Sequence, residues 1–212
     1  MRTLLVLLCC VPFIAAAIVL RPLAWTPPDV AALEADEVRV QPPAVDGFDF
    51  PVGAPDARGY LDAQPFGRND HLGSDWNAVT GGASDLGDPV HVVANGLVVY
   101  ADDLGGGWGP VVRVLHQTSD GIVETVYAHL QRIDVTEGQI IQRGDVVGTI
   151  GDAHGVYIPH LHFELRTIPG MDIGPGYATD TTGWTDPTAY INGHRPAADG
   201  PTGGRARARP AR

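Results

Sequence analysis

Apolar positions fall into three regimes along this chain. From Leu4 to Leu20 they run almost unbroken, bounded by Arg2 and by Arg21-Pro22. That length is the lower limit for a membrane-spanning helix and slightly exceeds a usual signal-peptide core, and Ala15-Ala16-Ala17 supplies small residues for cleavage. Residues 1–21 therefore read as an export segment, either a cleaved signal peptide or an uncleaved N-terminal membrane anchor. The pattern leaves both open. From Pro22 to Gln64 no period persists, and Pro27-Pro28, Pro42-Pro43, Ala and Asp predict a semi-extended linker over 22–64. Within it a short helix over Val30–Val38 and an edge strand in Val45–Val52 have some support.

Between 65 and 195 the pattern changes to short β-branched and apolar runs punctuated by glycine. Strands are predicted at Pro89–Ala101, Val111–His116, Ile122–Leu130, Val146–Ile150 and His160–Arg166. Residues 135–150, with Gly138, Gly144 and Gly148, predict a tight hairpin. No amphipathic helix of convincing length interrupts these runs, so the fold class is mainly β, barrel-like or sandwich-like. Residues 196–212 end in Gly203-Gly204 and alternating Arg and Ala, which predicts a disordered Arg-rich tail.

Composition sharpens this picture chiefly through an absence. The 212 residues contain fourteen Arg and no Lys, which excludes Schiff-base chemistry, a phosphate-binding lysine and a biotinyl or lipoyl carrier. Formal net charge is −11. Residues 22–204 hold eight Arg against all 25 acidic residues, about −17, so no duplex nucleic-acid partner is expected. Both cysteines, Cys9 and Cys10, lie in the N-terminal run. No disulfide framework or thiolate metal site is available to the domain.

Histidine supplies the candidate chemistry. In a strand, His160 and His162 share a face while Leu161 and Phe163 point to the core. Tyr127-Ala128-His129 repeats the device with a phenol and an imidazole. In His71-Leu72-Gly73-Ser74-Asp75 the glycine disfavours a helix, and a loop can wrap both side chains around one ion. Four imidazoles and a carboxylate without cysteine favour zinc through N and O ligands. Three such ligands with an open position make a hydrolytic site. Spacing alone equally allows His160 as a ligand.

The order His71-x3-Asp75, Tyr127-x-His129-Leu130, a glycine-spaced segment, and His160-Leu161-His162-Phe163-Glu164 resembles the lysostaphin/LytM-type zinc metallopeptidases. The resemblance covers about residues 66–191 and extends to Gly87-Asp88-Pro89-Val90, residues 94–100 and Gly106–Gly109. It implies small antiparallel sheets with an open substrate groove in a metallopeptidase domain at 65–195. It further implies one Zn2+ held by His71, Asp75 and His162, with His129 and His160 as catalytic groups flanking the water. Tyr127 and Glu164 then become candidate outer partners of the ligands. The function implied is zinc-dependent endopeptidase cleavage of a peptidoglycan cross-bridge or stem peptide. The expected setting is extracytoplasmic, with membrane contact through residues 3–20 and a monomeric chain. The alternative is a weakly active wall-binding module that activates another wall hydrolase. Intact ligands argue against it.

One stretch departs from the family pattern. Residues 151–159 replace a short Gly- and Ser-rich turn and bring His154 and Tyr157 toward the expected groove. His91 and His116 match no catalytic position and read as structural. Of Trp76, Trp108 and Trp184, at least two are expected to pack rather than stack on substrate.

Overall fold

The computed structural model describes residues 40–197. The export segment, the helix suggested at Val30–Val38 and the tail beyond residue 197 lie outside the described residues. Among the described residues no helix is long and apolar enough to cross a membrane.

Eleven strands form two antiparallel sheets. They are β1 (Tyr60–Gln64), β2 (Ser74–Ala78), β3 (Pro89–His91), β4 (Gly96–Asp103), β5 (Pro110–Thr118), β6 (Gly121–Ala128), β7 (Leu130–Ile133), β8 (Ile140–Ile141), β9 (Val146–Ile150), β10 (Leu161–Arg166) and β11 (Trp184–Thr185). The larger sheet runs β1-β2-β10-β6-β5-β4-β8, with β11 joining β10 where β2 leaves it, and the smaller runs β3-β9-β7. Neither closes into a barrel. One short helix, α1 (Pro187–Gly193), follows. Its Asp186 side chain accepts the Ala189 amide at 3.0 Å, and Pro187 fills the first turn, where no N–H is needed.

Two-residue periodicity explains the central strands. On β10, Leu161, Phe163 and Leu165 face the main core, while His162, Glu164 and Arg166 occupy the other face and are buried too. On β6, Tyr127 joins the main core, while Val126 and Ala128 pack with Val111 in a smaller cluster across the sheet. A sheet covered on both faces can bury polar groups, but only those that find partners there.

Two expectations need correction. Residues 135–150 are not a hairpin: β8 pairs with β4, and β9 pairs with β3 and β7. Gly138 and Gly144 do turn the chain, at φ +83° and +87°. Gly148 instead lies inside β9, where an added Cβ would strike the Arg132 carbonyl oxygen. The proposed linker also does not extend to Gln64. Phe48, Phe50 and Val52 belong to the main core, and full burial of such side chains is worth about 2 kcal/mol each. Against a total domain stability of about 5–15 kcal/mol, that contribution makes the segment part of the domain.

His116, expected to be structural, is fully buried. Its Nδ1–H donates to the Asn95 carbonyl at 2.9 Å, leaving Nε2 against the Thr125 hydroxyl at 2.8 Å. Burial pushes its pKa down to about 4, against the bond to Asn95. The unfolded chain takes up this proton near pH 6.5 and the folded one only near 4, so stability from this group is lost as pH falls between them. Denaturant titrations at pH 7 and 5 are expected to show His116→Gln losing about 2 kcal/mol less than the parent chain.

Candidate metal centre

Strand register assembles the site. Across β10, Asp75 of β2 stands opposite His162 on one side and Ala128 of β6 stands opposite it on the other. His71 precedes Asp75 by four residues in an extended path, after Asn69 and Asp70 turn the chain with positive φ. Gly73 lets this path run close to β10. A Cβ there would meet the Phe163 carbonyl oxygen at 2.6 Å and His162 Cε1 at 3.1 Å.

Three donor atoms converge. His71 Nε2, Asp75 Oδ1 and His162 Nδ1 lie 2.9 to 3.3 Å apart. Their residues form the one group of three or more His, Cys, Asp or Glu with metal-holding spacing among the described residues. The outer hydrogen bonds set the tautomers. His71 Nδ1–H donates to the Gln64 carbonyl at 2.9 Å, and His162 Nε2–H donates to Glu164 Oε1 at 3.1 Å. Both inward nitrogens are thereby left with bare lone pairs beside a carboxylate oxygen. Three electron-pair donors at such distances repel unless a cation lies among them. Donors about 2.0–2.1 Å from a tetrahedral zinc stand about 3.3 Å apart, close to the triangle seen here. The donor set fits zinc.

Electrostatics agree with the geometry. Burial raises the Asp75 pKa, but the adjoining His162 and His71 rings outweigh it and hold the carboxyl well below the usual range. Burial lowers the His162 pKa, yet the Asp75 and Glu164 carboxylates on either side push it up to about 9, so without a metal a proton on Nδ1 takes the place of the cation. The negative field that favours a proton on this imidazole equally favours a metal cation.

Two more imidazoles flank the triangle. His129 lies between β6 and β7 with φ +61°, a strained value that breaks strand alternation and turns its ring away from the core side. Its Nδ1–H donates to the Trp108 carbonyl at 3.2 Å. Burial, then the neighbouring His162 and His160, push its pKa down to about 3. His160 Nδ1–H donates to the Ile158 carbonyl at 2.8 Å, and its Nε2 lies 3.7 Å from Asp75 Oδ1. The two rings are 4.8 Å apart, centre to centre. Both flanking imidazoles therefore keep Nε2 bare.

Asp75, His129, His160 and His162 border a groove of about 390 Å3 walled by Trp108, Tyr157, Pro175, Gly176, Tyr177 and Gln64. Tyr157, from the longer turn at 151–159, packs against His129 at 4.9 Å. His154 is not in the wall; it bonds Asp103 at 2.8 Å. Trp76 is in the core, and Trp184 donates to Glu164 Oε2 at 2.9 Å. Tyr177, 5.1 Å from the His71 ring, had no pattern to announce it. It sits after an irregular Gly-Pro-Gly segment, where an isolated bridge to His71 and a hydrogen bond from Gln64 Nε2 to its hydroxyl hold it.

Tyr127 corrects the sequence reading. It was expected on the His129 face as an outer partner of the ligands. Because alternation breaks at His129, its ring instead enters the main core against Phe163. Its hydroxyl accepts the Val93 amide at 3.1 Å. Glu164 does contact His162, and it is buried rather than solvated.

Three protein donors with one open side are the pattern of hydrolytic rather than structural zinc sites. The class to which fold and donor set point is metallopeptidase. Residues 70–175 match Peptidase family M23, and the chain belongs to that family. M23 metallopeptidases are zinc-dependent peptidoglycan hydrolases. Among relatives, the DD-carboxypeptidase/endopeptidase Mpg of Neisseria meningitidis is 34% identical over 116 residues, 53% of this chain and 26% of that protein. The cell division protein DipM of Caulobacter vibrioides is 41% identical over 83 residues, 39% and 13% of the two chains. The chain thus spans about a quarter or less of these curated relatives. The structure of lysostaphin from Staphylococcus simulans aligns with TM-score 0.50 at 23% identity, covering 72% of this chain and 56% of that one, a likeness of fold.

Since Tyr127 supports the core and not the donors, Tyr127→Phe is expected to lower stability by about 1–3 kcal/mol through the stranded Val93 amide. Zinc affinity, read by chelator competition, should stay within twofold. A parallel fall in zinc affinity would return Tyr127 to the site.

Proposed function

We propose that this domain is a zinc-dependent endopeptidase that hydrolyses a peptide bond of peptidoglycan, in a cross-bridge or a stem peptide, outside the cytoplasmic membrane. The observation that carries the reading is the donor triangle, whose tautomers leave three lone pairs converging beside an open groove. In this reading His71, Asp75 and His162 hold one zinc ion. When bound, zinc polarises the scissile carbonyl and makes water a stronger acid near neutral pH.

The chain's own groups supply the rest. The groove takes up an extended peptide between the Tyr157 side and the Tyr177 side. His129 and His160, each anchored through Nδ1–H on a backbone carbonyl, keep Nε2 free to receive a proton from the attacking water. The imidazole that has taken the proton becomes a donor. It then stabilises the negative charge developing on the carbonyl oxygen, or passes the proton to the departing amine. Trp108 fixes His129 and also covers His162 at 5.3 Å between ring centres, limiting water at the ligand. Export through the apolar segment at 3–20 would deliver the domain to its substrate, with the metallopeptidase domain at 65–195 extended back to Phe48 by the buried segment.

Purified protein incubated with purified peptidoglycan is expected to release new amino termini, to stop after chelation and to resume when zinc is restored. His162→Ala and Asp75→Ala are expected to lose zinc and activity together. His129→Ala should retain zinc at one equivalent and lose about 10²–10⁴ in kcat. Equal zinc loss in the His129 variant would overturn the ligand assignment. Stoichiometric zinc without release from several wall types would favour a module that activates another hydrolase.

A further inference from the structure

We propose that Arg166 is a positioning residue that ties the metal ligand His162 to the Tyr177 wall of the groove, so that ligand orientation and substrate binding are set by one buried cation. The proposal rests on the peptidase reading above. On β10, His162, Glu164 and Arg166 recur at every second residue, project from one face and are all buried. A buried guanidinium persists only when its N–H groups are matched. Arg166 has partners for all five. Nε and Nη2 donate to Glu164 Oε2 at 2.8 and 2.7 Å. Nη2 also donates to the Ile173 carbonyl at 2.7 Å, and Nη1 to the Asp172 and Met171 carbonyls at 3.2 and 3.5 Å.

Glu164 is the hinge of this arrangement. One of its oxygens accepts His162 Nε2–H; the other accepts Arg166 and the Trp184 indole. The Arg166 guanidinium lies 5.4 Å from the Trp184 ring centre. Rotation of the carboxylate is therefore blocked from both sides, and the His162 ring with it.

The other end of the cation holds chain that has no regular structure. Between Arg166 and Trp184 the backbone forms neither helix nor strand. Its anchor is electrostatic. Besides the three carbonyls on Arg166, Arg113 Nη2 donates to the Met171 carbonyl at 2.7 Å, while Glu124 accepts the Gly170 amide at 2.8 Å and Arg113 Nε at 2.7 Å. The anchored residues lead directly into the wall. Gly174 accepts the Trp108 indole at 3.2 Å, Pro175, Gly176 and Tyr177 line the groove, and Leu72 donates to the Gly176 carbonyl at 3.0 Å.

Arginine's fork is essential to the coupling. A lysine has three donors at one point and cannot serve a carboxylate and consecutive carbonyls on opposite sides. Arg166→Lys in the full-length, zinc-loaded protein is therefore expected to speed amide hydrogen exchange over residues 171–178 by about tenfold or more. It should weaken zinc about tenfold in chelator competition. On peptidoglycan fragments KM should rise about tenfold with kcat within threefold, the sign of a lost binding wall.

Arg113→Lys provides the second arm, because Arg113 grips the same loop without touching Glu164. It should speed exchange over 170–173 and raise KM while leaving zinc affinity unchanged. Unchanged exchange in both variants would overturn the clamp. Zinc loss of equal size in both would overturn the link through Glu164. Exchange and zinc affinity need no turnover, so a parent protein that cuts no wall would sink the peptidase reading while these two measurements still decide the coupling.

Discussion

The antiparallel register between β2, β10 and β6 is the constraint on which the rest depends. It places Asp75 and Ala128 on either side of His162, so two donors and the start of the His129 turn are fixed by backbone hydrogen bonds rather than by loops. A slip of one residue in β10 would exchange its faces. His162, Glu164 and Arg166 would enter an apolar core, and Leu161, Phe163 and Leu165 would face the metal side. The cost of burying a charged face in place of an apolar one makes that slip inaccessible, so the core specifies the site.

Around this frame, polar groups are buried only where each finds a partner. His71 is oriented by a backbone carbonyl, His162 by a carboxylate, and His129 and His160 by backbone carbonyls. In all four the outer bond decides which nitrogen is bare. Preorganisation of this kind removes the need to reorient donors when a cation arrives. The same economy extends to Arg166, whose partners lie on the ligand side and on the groove side at once.

The groove walls follow a different logic. Tyr157 and Tyr177 come from irregular segments, 151–159 and the stretch after β10, which are held by contacts distant in sequence. Imidazoles held on or beside strands are rigidly placed, whereas walls built on loops can vary without disturbing them. The turn at 151–159 exposes Val156, Tyr157 and Ile158 beside the groove.

How far the sequence reached depended on the range of the forces involved. Strand alternation is local, so the pairing of Leu161 and Phe163 with the core and of His160 with His162 away from it was legible, as were most strands and the mainly β class. The absence of lysine, and of cysteine beyond Cys9 and Cys10, narrowed the chemistry without any structure. Spacing brought His71, Asp75, His129, His160 and His162 forward as a set, but their division into donors and flanking groups came from the resemblance. Tertiary structure decided what local pattern could not. The left-handed turn at His129 sent Tyr127 into the core, β8 and β9 took different partners, and Phe48 and Phe50 were drawn from an apparent linker into the interior. Tyr177 and the Gln64 carbonyl reached the centre through contacts whose partners lie far away in the chain. Such outcomes depend on which surfaces meet, and a linear pattern carries no record of that.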